Sequence, residues 1–238
     1  MHGFLLIDKQ VGWTSHDVVG YLRKITRIKK IGHAGTLDPF ATGLLIVGIG
    51  REATKRIDEF KDMPKVYEAV VHFGAVSDTF DSTGDIKEQE TCLPDRQAKN
   101  LPTGQAGKKQ IDLNVVNTLV NSFVGEQDQI APMYSAKKVN GEKLYDLARK
   151  GIEIERKPHR ITIHDLQVLD FEYPLLKIKV TCSPGTYIRT LAHDIGKKLG
   201  VGAYCEELRR TSIGKYSVEH AFDVQGLTLE TIEQKVFE

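Results

Sequence analysis

The sequence has few of the residues that build disulfide frameworks and metal sites. It contains three cysteines and one tryptophan among 238 residues. Cys92, Cys182 and Cys205 are scattered and lack the spacing of zinc ligands, so neither a disulfide framework nor a zinc site is expected. Cysteines used in this way are typical of a reducing compartment, and we expect a cytoplasmic protein.

Long apolar runs are also absent. No stretch of about 18 apolar residues occurs, so no membrane span is expected. Residues 1–9 lack a basic region, and the apolar run at 4–7 is too short for a signal peptide. The sequence has no internal repeat, and its 40% hydrophobic and 27% charged residues are ordinary for a globular chain of one large domain or two modest ones.

The formal net charge of +1 gives little indication of a nucleic-acid partner, but the charges are unevenly distributed. Residues 23–30 contain five Lys or Arg and no acid, and residues 137–160 contain eight against four acids. Residues 219–238 hold five acids and one lysine. A nearly neutral chain with two basic segments can present a phosphate-binding face. Solvated helix faces would give the same pattern, and charge alone leaves both interpretations open.

Hydrophobic periodicity predicts both strands and helices. Strands are expected at 4–7, 44–47, 67–73 and 176–182, and amphipathic helices at 113–123, at 188–199 and after a capping box formed by Thr14 and Asp17. Residues 92–111 lack periodicity and are predicted to form a flexible loop. Without regular βαβ alternation, the pattern favours an α+β fold with a mixed, largely antiparallel central sheet flanked by helices and loops.

The densest chemical signal lies at residues 32–45, with the sequence GHAGTLDPFATGLL. An aspartate before a proline in a glycine-rich stretch is most often a turn former. Alternatively, close glycines let the backbone approach a ligand, while Asp38 and His33 offer a carboxylate and an imidazole for proton transfer. These residues alone do not decide between the two interpretations.

Residues 32–45 resemble the catalytic signature of the TruB-type pseudouridine synthases, and the match is long enough to be highly specific. The resemblance extends over nearly the whole chain in the family's order. Further matching segments are 6–9, 12–15, the tyrosine-bearing strand at 65–69, a thumb-like RNA-binding segment at about 126–151, and residues 182–189 and 208–210. The resemblance implies one pseudouridine synthase catalytic domain over residues 1–238.

The resemblance also implies the chemistry, which is the isomerisation of one uridine in the T-loop of tRNA without metal or other cofactor. The N1–C1′ bond breaks, the base turns over, and the base is rejoined through C5. The reaction needs one carboxylate, and Asp38 takes this role, either as nucleophile or as base toward the sugar. Arg189 resembles the family's cation that keeps this carboxylate ionised, although it also fits an ordinary arginine at a helix start.

The base-binding residues are implied in the same way. Tyr67 and Tyr187 match the aromatic residues that hold the target base, and Leu208 matches the apolar residue of the same pocket. His33 matches the histidine beside the flipped nucleotide. Without the resemblance, the two tyrosines and the leucine would each fit a plain core position.

Two departures from the family pattern stand out. Gln10 occupies the position where the family usually has proline, which affects the expected local rigidity more than the expected activity. The chain also ends where the catalytic domain should finish, so we expect no C-terminal PUA domain and a lower affinity for full tRNA.

The leading hypothesis is a monomeric, stand-alone enzyme that reads the T-arm stem-loop of tRNA without a guide RNA or a membrane. A guide-RNA-dependent enzyme of the Cbf5/dyskerin type is one alternative, and the thumb-like segment argues against it. A non-catalytic RNA-binding protein is another, but it would not need Asp38 paired with Arg189. A glycosidase would need a second acid, and none stands in a matching motif.

Overall fold

The computed structural model describes residues 1–89, 111–135, 137–139 and 141–237. The strands are β1 (Gly3–Lys9), β2 (Ile31–His33), β3 (Thr42–Ile49), β4 (Lys65–Phe73), β5 (Ala75–Ser77), β6 (Ile86–Glu88), β7 (Gly125–Gln129), β8 (Lys138–Val139), β9 (Glu142–Lys143), β10 (His159–Glu172), β11 (Leu175–Cys182), β12 (Ala203–Ile213), β13 (Tyr216–Ser217) and β14 (Phe222–Asp223). The helices are α1 (Ser15–Thr26), α2 (Gly50–Arg56), α3 (Asp58–Lys61), α4 (Leu113–Asn121), α5 (Leu144–Arg149), α6 (Ile188–Leu199) and α7 (Leu229–Lys235). Short 3-10 turns occupy Val218–His220 and Val224–Gly226.

The predicted elements are present with small shifts at their ends. Most strand pairs are antiparallel, whereas β1 with β14 and β3 with β12 are parallel, which confirms the α+β class with a mixed, largely antiparallel sheet. Residues 92–110 of the predicted loop lie outside the described residues. Ile111, the last residue of that prediction, is buried. Within the described ranges, no helix is long and apolar enough to cross a membrane.

The chain divides into two compact units. The first consists of Met1–Glu68, Thr181–Pro184 and Leu208–Glu238. The second consists of Ala69–Val180 and Gly185–Glu207. The candidate site residues are therefore described unit by unit.

In the first unit the strands follow the order β14-β1-β3-β12, with β2 beside β3 and β13 beside β12. Alternate residues of β1 point to opposite faces, as they must in a strand. Leu5 and Ile7 enter one hydrophobic cluster, and Phe4 and Leu6 enter another. Burial on both faces explains why this strand is a continuous apolar run rather than an alternating one.

Two strand pairings of β3 meet at Gly43, near the end of the glycine-rich segment. β1 runs antiparallel to β3, which places Lys9 opposite Gly43. β12 runs parallel to β3, which places Arg210 beside the same glycine. The start of β3 therefore lies between β1 and β12.

Helix α1 begins as the sequence predicts. The Thr14 side chain accepts a hydrogen bond from the Asp17 N–H at 3.0 Å, and the Asp17 carboxylate accepts one from the Thr14 N–H at 2.8 Å. This capping box is thereby confirmed. The helix buries Val18, Val19 and Leu22 against the β1 cluster, so the apolar spacing read from the sequence is its packing face.

Strand β4 begins in the first unit and continues into the second from Ala69. The strand order is then β4-β11-β10-β7, and β5-β6 and β8-β9 form separate two-stranded pairs. Helix α6 buries eight of its twelve residues, including Arg189 at its first turn. It ends at Gly200, whose φ of 80° is the left-handed conformation expected of a glycine C-cap. Helix α4 begins at the Asp112 cap and ends at Asn121, two residues before the predicted limit.

Candidate active site

In the first unit, Asp38 lies in a segment that is held on both sides. The Leu37 N–H donates to the Ser15 hydroxyl oxygen at 2.9 Å, and that hydroxyl lies 3.2 Å from the Leu37 carbonyl. On the other side, the Pro39 carbonyl accepts a hydrogen bond from the Gly12 N–H at 2.8 Å. Ser15 is buried, whereas Asp38 keeps part of its surface exposed. The carboxylate thus stands between two anchored neighbours.

Lys9 supports the same segment from the end of β1. Its side chain is fully buried, and its ammonium donates to the carbonyls of Gln10, Trp13 and Pro39 at 3.0, 2.6 and 3.5 Å. Burial lowers the pKa of Lys9 to about 8, and the charge of Asp38 works against this shift. Lys9 is therefore a cation within electrostatic reach of the candidate carboxylate.

Gln10, the departure from the family pattern, has a side-chain partner. Its amide nitrogen donates to the Asp223 carboxylate at 2.5 Å, which ties the loop after β1 to β14. Its carbonyl accepts the hydrogen bond from Lys9. Two hydrogen bonds therefore hold the residue where a proline would have restricted φ by its ring.

Tyr67 and Leu208 also belong to the first unit. Leu208 is buried on β12, and Tyr67 lies on β4 with part of its surface exposed. Burial raises the pKa of the Tyr67 hydroxyl, the nearby Arg210 guanidinium opposes this shift, and the Asp38 charge adds to it. Tyr67 at neutral pH is therefore a protonated phenol within electrostatic reach of Asp38.

His33 ends β2, five residues before Asp38. Burial, together with the charges of His16 and Arg210, lowers the pKa of His33 to about 4. The His16 ring meets the His33 ring edge-on, with centroids 5.8 Å apart. At neutral pH His33 is therefore an uncharged imidazole, suited to contact a base rather than a phosphate.

An open depression of about 590 Å³ lies beside His33. Its lining contains four cations and one acid, and its residues are Arg23, Lys29, Lys30, Ile31, Gly32, His33, Thr54, Ile57, Asp58 and Lys61. Asp58 pairs with Lys61 at 2.5 Å, and Arg23 donates to the Ile31 carbonyl at 3.1 Å. Three of the four cations come from the basic run at 23–30, so this run lines a concave surface and is not only a solvated helix face.

In the second unit, Arg189 is buried with 3% of its side chain exposed. Its guanidinium pairs with Asp81 at 3.1 Å and donates to the carbonyls of Thr79 and Tyr134 at 2.9 and 2.8 Å. The Asp81 carboxylate also accepts three hydrogen bonds from Thr79 and Thr83, at 2.7, 2.9 and 2.6 Å. Asp81 thus orients Arg189, whose predicted pairing with Asp38 remains a prediction.

Tyr187, the N-cap residue of α6, is held through its backbone. Its N–H donates to the Gln129 side-chain oxygen at 2.8 Å, and its carbonyl accepts from the Gln129 amide at 3.0 Å. The ring of His159 meets the Tyr187 ring edge-on, with centroids 6.0 Å apart. Because Gln129 is buried, these two hydrogen bonds hold the Tyr187 backbone in place at the start of the helix.

The candidate residues thus fall into two groups. Asp38, His33, Tyr67 and Leu208 belong to the first unit, and Tyr187 and Arg189 belong to the second. Asp81 was not predicted as a site residue, because it stands in a polar stretch at 77–85 that is typical of turns. A buried ion pair of residues far apart in the chain leaves no local signal.

The sequence also carried no separate indication of Ser15, Lys9 and Gln129, which hold the segments that carry candidate residues. The first two stand in segments that carried the family resemblance, at 6–9 and 12–15, and this position was a usable signal. Gln129 is the last residue of an edge strand and has no motif around it. Its burial in the structure is what indicates its role in holding Tyr187.

Family models match almost the whole chain. The model described as TruB family pseudouridylate synthase (N terminal domain) matches residues 23–188, and the model described as tRNA pseudouridylate synthase B C-terminal domain matches residues 189–237. Curated proteins named tRNA pseudouridine synthase B are similar over nearly its full length. The Clostridium tetani protein is 43% identical over 98% of this chain and 75% of its own length. The Syntrophotalea carbinolica protein is 45% identical over 98% of this chain and 69% of its own.

Solved structures give the same picture of the fold. The chain resembles one from a Cbf5-Nop10-Gar1 complex, with a TM-score of 0.69 and 27% identity over 94% of this chain and 53% of that one. It also resembles a chain of an H/ACA RNP bound to a substrate RNA containing 2'-deoxyuridine, with a TM-score of 0.67 and 25% identity over 99% and 56%. This chain therefore spans about half the length of these two structural neighbours.

Proposed function

Because the chain belongs to the TruB family of pseudouridylate synthases, we propose that it acts alone on the T-loop uridine of tRNA, with Asp38 as its catalytic carboxylate. The coarser activity follows from the family and its named relatives: the chain is a tRNA pseudouridine synthase, an isomerase that converts uridine to pseudouridine. The observation that carries the finer proposal is the anchoring of Leu37 and Pro39, which leaves Asp38 fixed between them.

The reaction places few demands on the protein beyond one fixed carboxylate. The N1–C1′ bond breaks, the base turns over, C5 joins C1′, and C5 loses a proton while N1 gains one. Asp38 acts on the sugar either by attacking it or by removing a proton from it, and both routes need an ionised and oriented group. The hydrogen bonds to Leu37 and Pro39 supply the orientation.

Two cations are proposed to keep Asp38 ionised. Lys9 is the first, because the charge of Asp38 opposes the lowering of its pKa by burial. Its ammonium also donates hydrogen bonds to three carbonyls. Arg189 is the second, since Asp81 and two carbonyls hold its guanidinium in one orientation. A planar guanidinium suits a carboxylate because it can donate two parallel hydrogen bonds.

The target base is proposed to lie in a pocket formed by Tyr67, Tyr187 and Leu208. A tyrosine ring stacked on a base contributes roughly 1–3 kcal/mol, and its hydroxyl can meet a polar edge. The fixed backbone of Tyr187 supports this role because a stacking platform must not move. His33, an uncharged imidazole, is proposed to contact the RNA beside the extracted nucleotide, where it lowers the cost of flipping.

Two basic surfaces are proposed to hold the T-arm backbone. The depression beside His33 offers four cations for phosphates. The thumb-like segment at 126–151 offers more, and within it the Arg149 guanidinium lies over the Tyr145 ring at 4.4 Å. Arg189 donates a hydrogen bond to the Tyr134 carbonyl in this segment. The position of the segment is therefore coupled to Arg189, the proposed counter-ion of Asp38.

The deciding experiment uses the purified protein and an unmodified T-arm stem-loop, without guide RNA, metal or any other cofactor. Pseudouridine is mapped by carbodiimide treatment and primer extension. We expect one T-loop uridine to be converted, and mismatches that open the stem to abolish conversion, because the enzyme reads the folded shape of the arm.

The structural likeness to Cbf5 makes a guide-dependent enzyme the alternative. It predicts that the pure protein is inert on T-arm RNA and becomes active once a guide RNA and partner proteins are added. That outcome would overturn the stand-alone proposal. Binding without conversion under every condition would indicate a non-catalytic RNA-binding protein instead.

A further inference from the structure

Arg210 is a charged side chain in the interior of the first unit, with 1% of its surface exposed. Its Nε donates to the Leu44 carbonyl at 2.7 Å and its Nη2 to the Gly35 carbonyl at 3.1 Å. The Tyr67 hydroxyl is within electrostatic reach of the same guanidinium, which opposes the rise in the pKa of that hydroxyl. A guanidinium buried so deeply is tolerated only where hydrogen bonds satisfy it, and both carbonyl partners are neutral groups.

The two carbonyls mark the ends of the segment that carries Asp38. Gly35 precedes Asp38 by three residues, and Leu44 follows it by six. One guanidinium therefore holds both ends of the ten residues from 35 to 44.

The backbone of the same residue also packs against this segment. Gly43 lies beside Arg210 in the pairing of β3 with β12, and a Cβ on Gly43 would stand 2.2 Å from the Arg210 carbonyl oxygen. The φ of Gly43, +102°, is likewise one that other residues avoid. This close approach explains why the segment must enter β3 through a glycine.

The charge of Arg210 also acts on candidate residues outside this segment and at its edge. It lowers the pKa values of Lys9 and His33 and opposes the rise in the pKa of Tyr67 on β4. The guanidinium is therefore within electrostatic reach of all three residues.

We propose that Arg210 is a positioning residue for the isomerisation, because its guanidinium binds both ends of the segment that presents Asp38. The inference rests on the proposed role of Asp38. A lysine cannot fill the position, since an ammonium on a flexible stem does not offer a rigid planar fork to two carbonyls at once.

The test compares Arg210→Lys with wild type on T-arm RNA in single-turnover reactions with enzyme in saturating excess. We expect the saturating rate to fall by about 10- to 100-fold, as for a displaced reacting group, while the RNA dissociation constant changes by less than about threefold. A residue that matters only for folding would lower the active fraction and leave this saturating rate unchanged. That result would overturn the proposal.

Arg209→Lys is the matched control. Arg209 is the neighbouring residue on β12, and its guanidinium pairs with Asp8 at 2.6 Å on a partly exposed surface. Its hydrogen bonds go to Asp8 and Thr42 and do not involve Gly35, Leu44 or Tyr67. We expect it to keep the wild-type saturating rate, and an equal loss in both variants would contradict a role specific to Arg210.

A second variant decides the matter if Arg210→Lys does not fold. Arg210→Gln removes the charge and keeps a side-chain amide that can donate to only one of the two carbonyls at a time. We expect a lower saturating rate with nearly unchanged RNA affinity, and a full rate would overturn the proposal. Wild type is run in the same assay, and its failure to convert T-arm RNA would reject the proposed function rather than this inference.

Discussion

The Arg189 guanidinium lies 3.1 Å from the Asp81 carboxylate, and only 3% and 5% of the two side chains are exposed. Thr79 and Thr83 complete the hydrogen bonding of the carboxylate, and the Thr79 and Tyr134 carbonyls bind the guanidinium. The buried pair therefore belongs to a hydrogen-bond network that joins residues far apart in the chain. Breaking such a pair by removing one partner leaves an uncompensated buried charge.

We predict that Asp81→Ala lowers the free energy of unfolding by about 3–5 kcal/mol and also slows isomerisation, because Arg189 loses its orientation. Urea unfolding and single-turnover kinetics measure the two effects. Asp85→Ala is the control, since it removes an ion pair with Lys87 whose side chains are 71% and 74% exposed. A change below about 1 kcal/mol is expected there. Equal effects of the two substitutions would contradict the assignment.

Arg189→Lys tests the guanidinium itself. We predict a large loss of isomerisation rate, because an ammonium cannot bind Asp81, Thr79 and Tyr134 while facing a second carboxylate. The variant keeps the positive charge, so its unfolding free energy should fall less than that of Asp81→Ala. An unchanged single-turnover rate would show that Arg189 has no part in the reaction.

Asp38→Asn should abolish isomerisation and leave the fold and RNA binding nearly intact. The substitution keeps the size of the side chain and removes its charge and nucleophilicity. The hydrogen bonds that hold Leu37 and Pro39 do not use the Asp38 side chain, so the segment keeps its anchors. Single-turnover conversion, with RNA binding measured in parallel, checks this prediction. Turnover comparable to wild type would refute the catalytic role of Asp38.

Replacing Lys29, Lys30 and Lys61 by alanine should weaken T-arm binding and make its salt dependence shallower. If each lysine neutralises one phosphate, the slope of log affinity against log salt should fall by about 0.7 for each lysine removed, the single-strand value. Lys87, Lys177 and Lys235, which are exposed and lie outside the depression, provide a control with the same change in net charge. Identical slopes in the two triple variants would mean that the depression is no RNA site.

The stability of the protein should depend on pH through His33. Its folded pKa is lowered to about 4 from 6.5, so between these values the unfolded chain binds more protons than the folded one. The contribution of His33 is therefore fully present above pH 6.5 and is lost as the pH falls toward 4. Its size is on the order of 2 kcal/mol, with allowance for partial exposure.

The measurement is urea unfolding at about pH 7.5 and about pH 5, in wild type and in His33→Gln. The variant should lose less stability on acidification, because glutamine does not titrate. His164→Gln, at an exposed position of β10, controls for the loss of a histidine. An identical pH dependence in wild type and His33→Gln would show that His33 is not the group responsible.

The sequence alone was sufficient to predict the elements that depend on residues close together in the chain. The capping box of Thr14 and Asp17, the buried strand β1 and the glycine end of α6 follow from side-chain spacing and backbone preference within a few residues. The resemblance of residues 32–45 to the family's catalytic signature pointed to Asp38 and His33. These conclusions needed no knowledge of distant contacts.

Only the tertiary structure decided which distant groups hold these residues. Ser15 meets Leu37 across 22 positions, and Arg189 meets Asp81 across more than a hundred. Asp81 looks like a turn residue and Arg210 like a surface arginine when each is read with its neighbours. Both side chains are buried in the structure, and a buried charge is stable only if groups of the protein pair with it or form hydrogen bonds to it. The sequence determined which chemical groups are available, whereas the packing of distant strands and helices determined which of them are enclosed and what they hold.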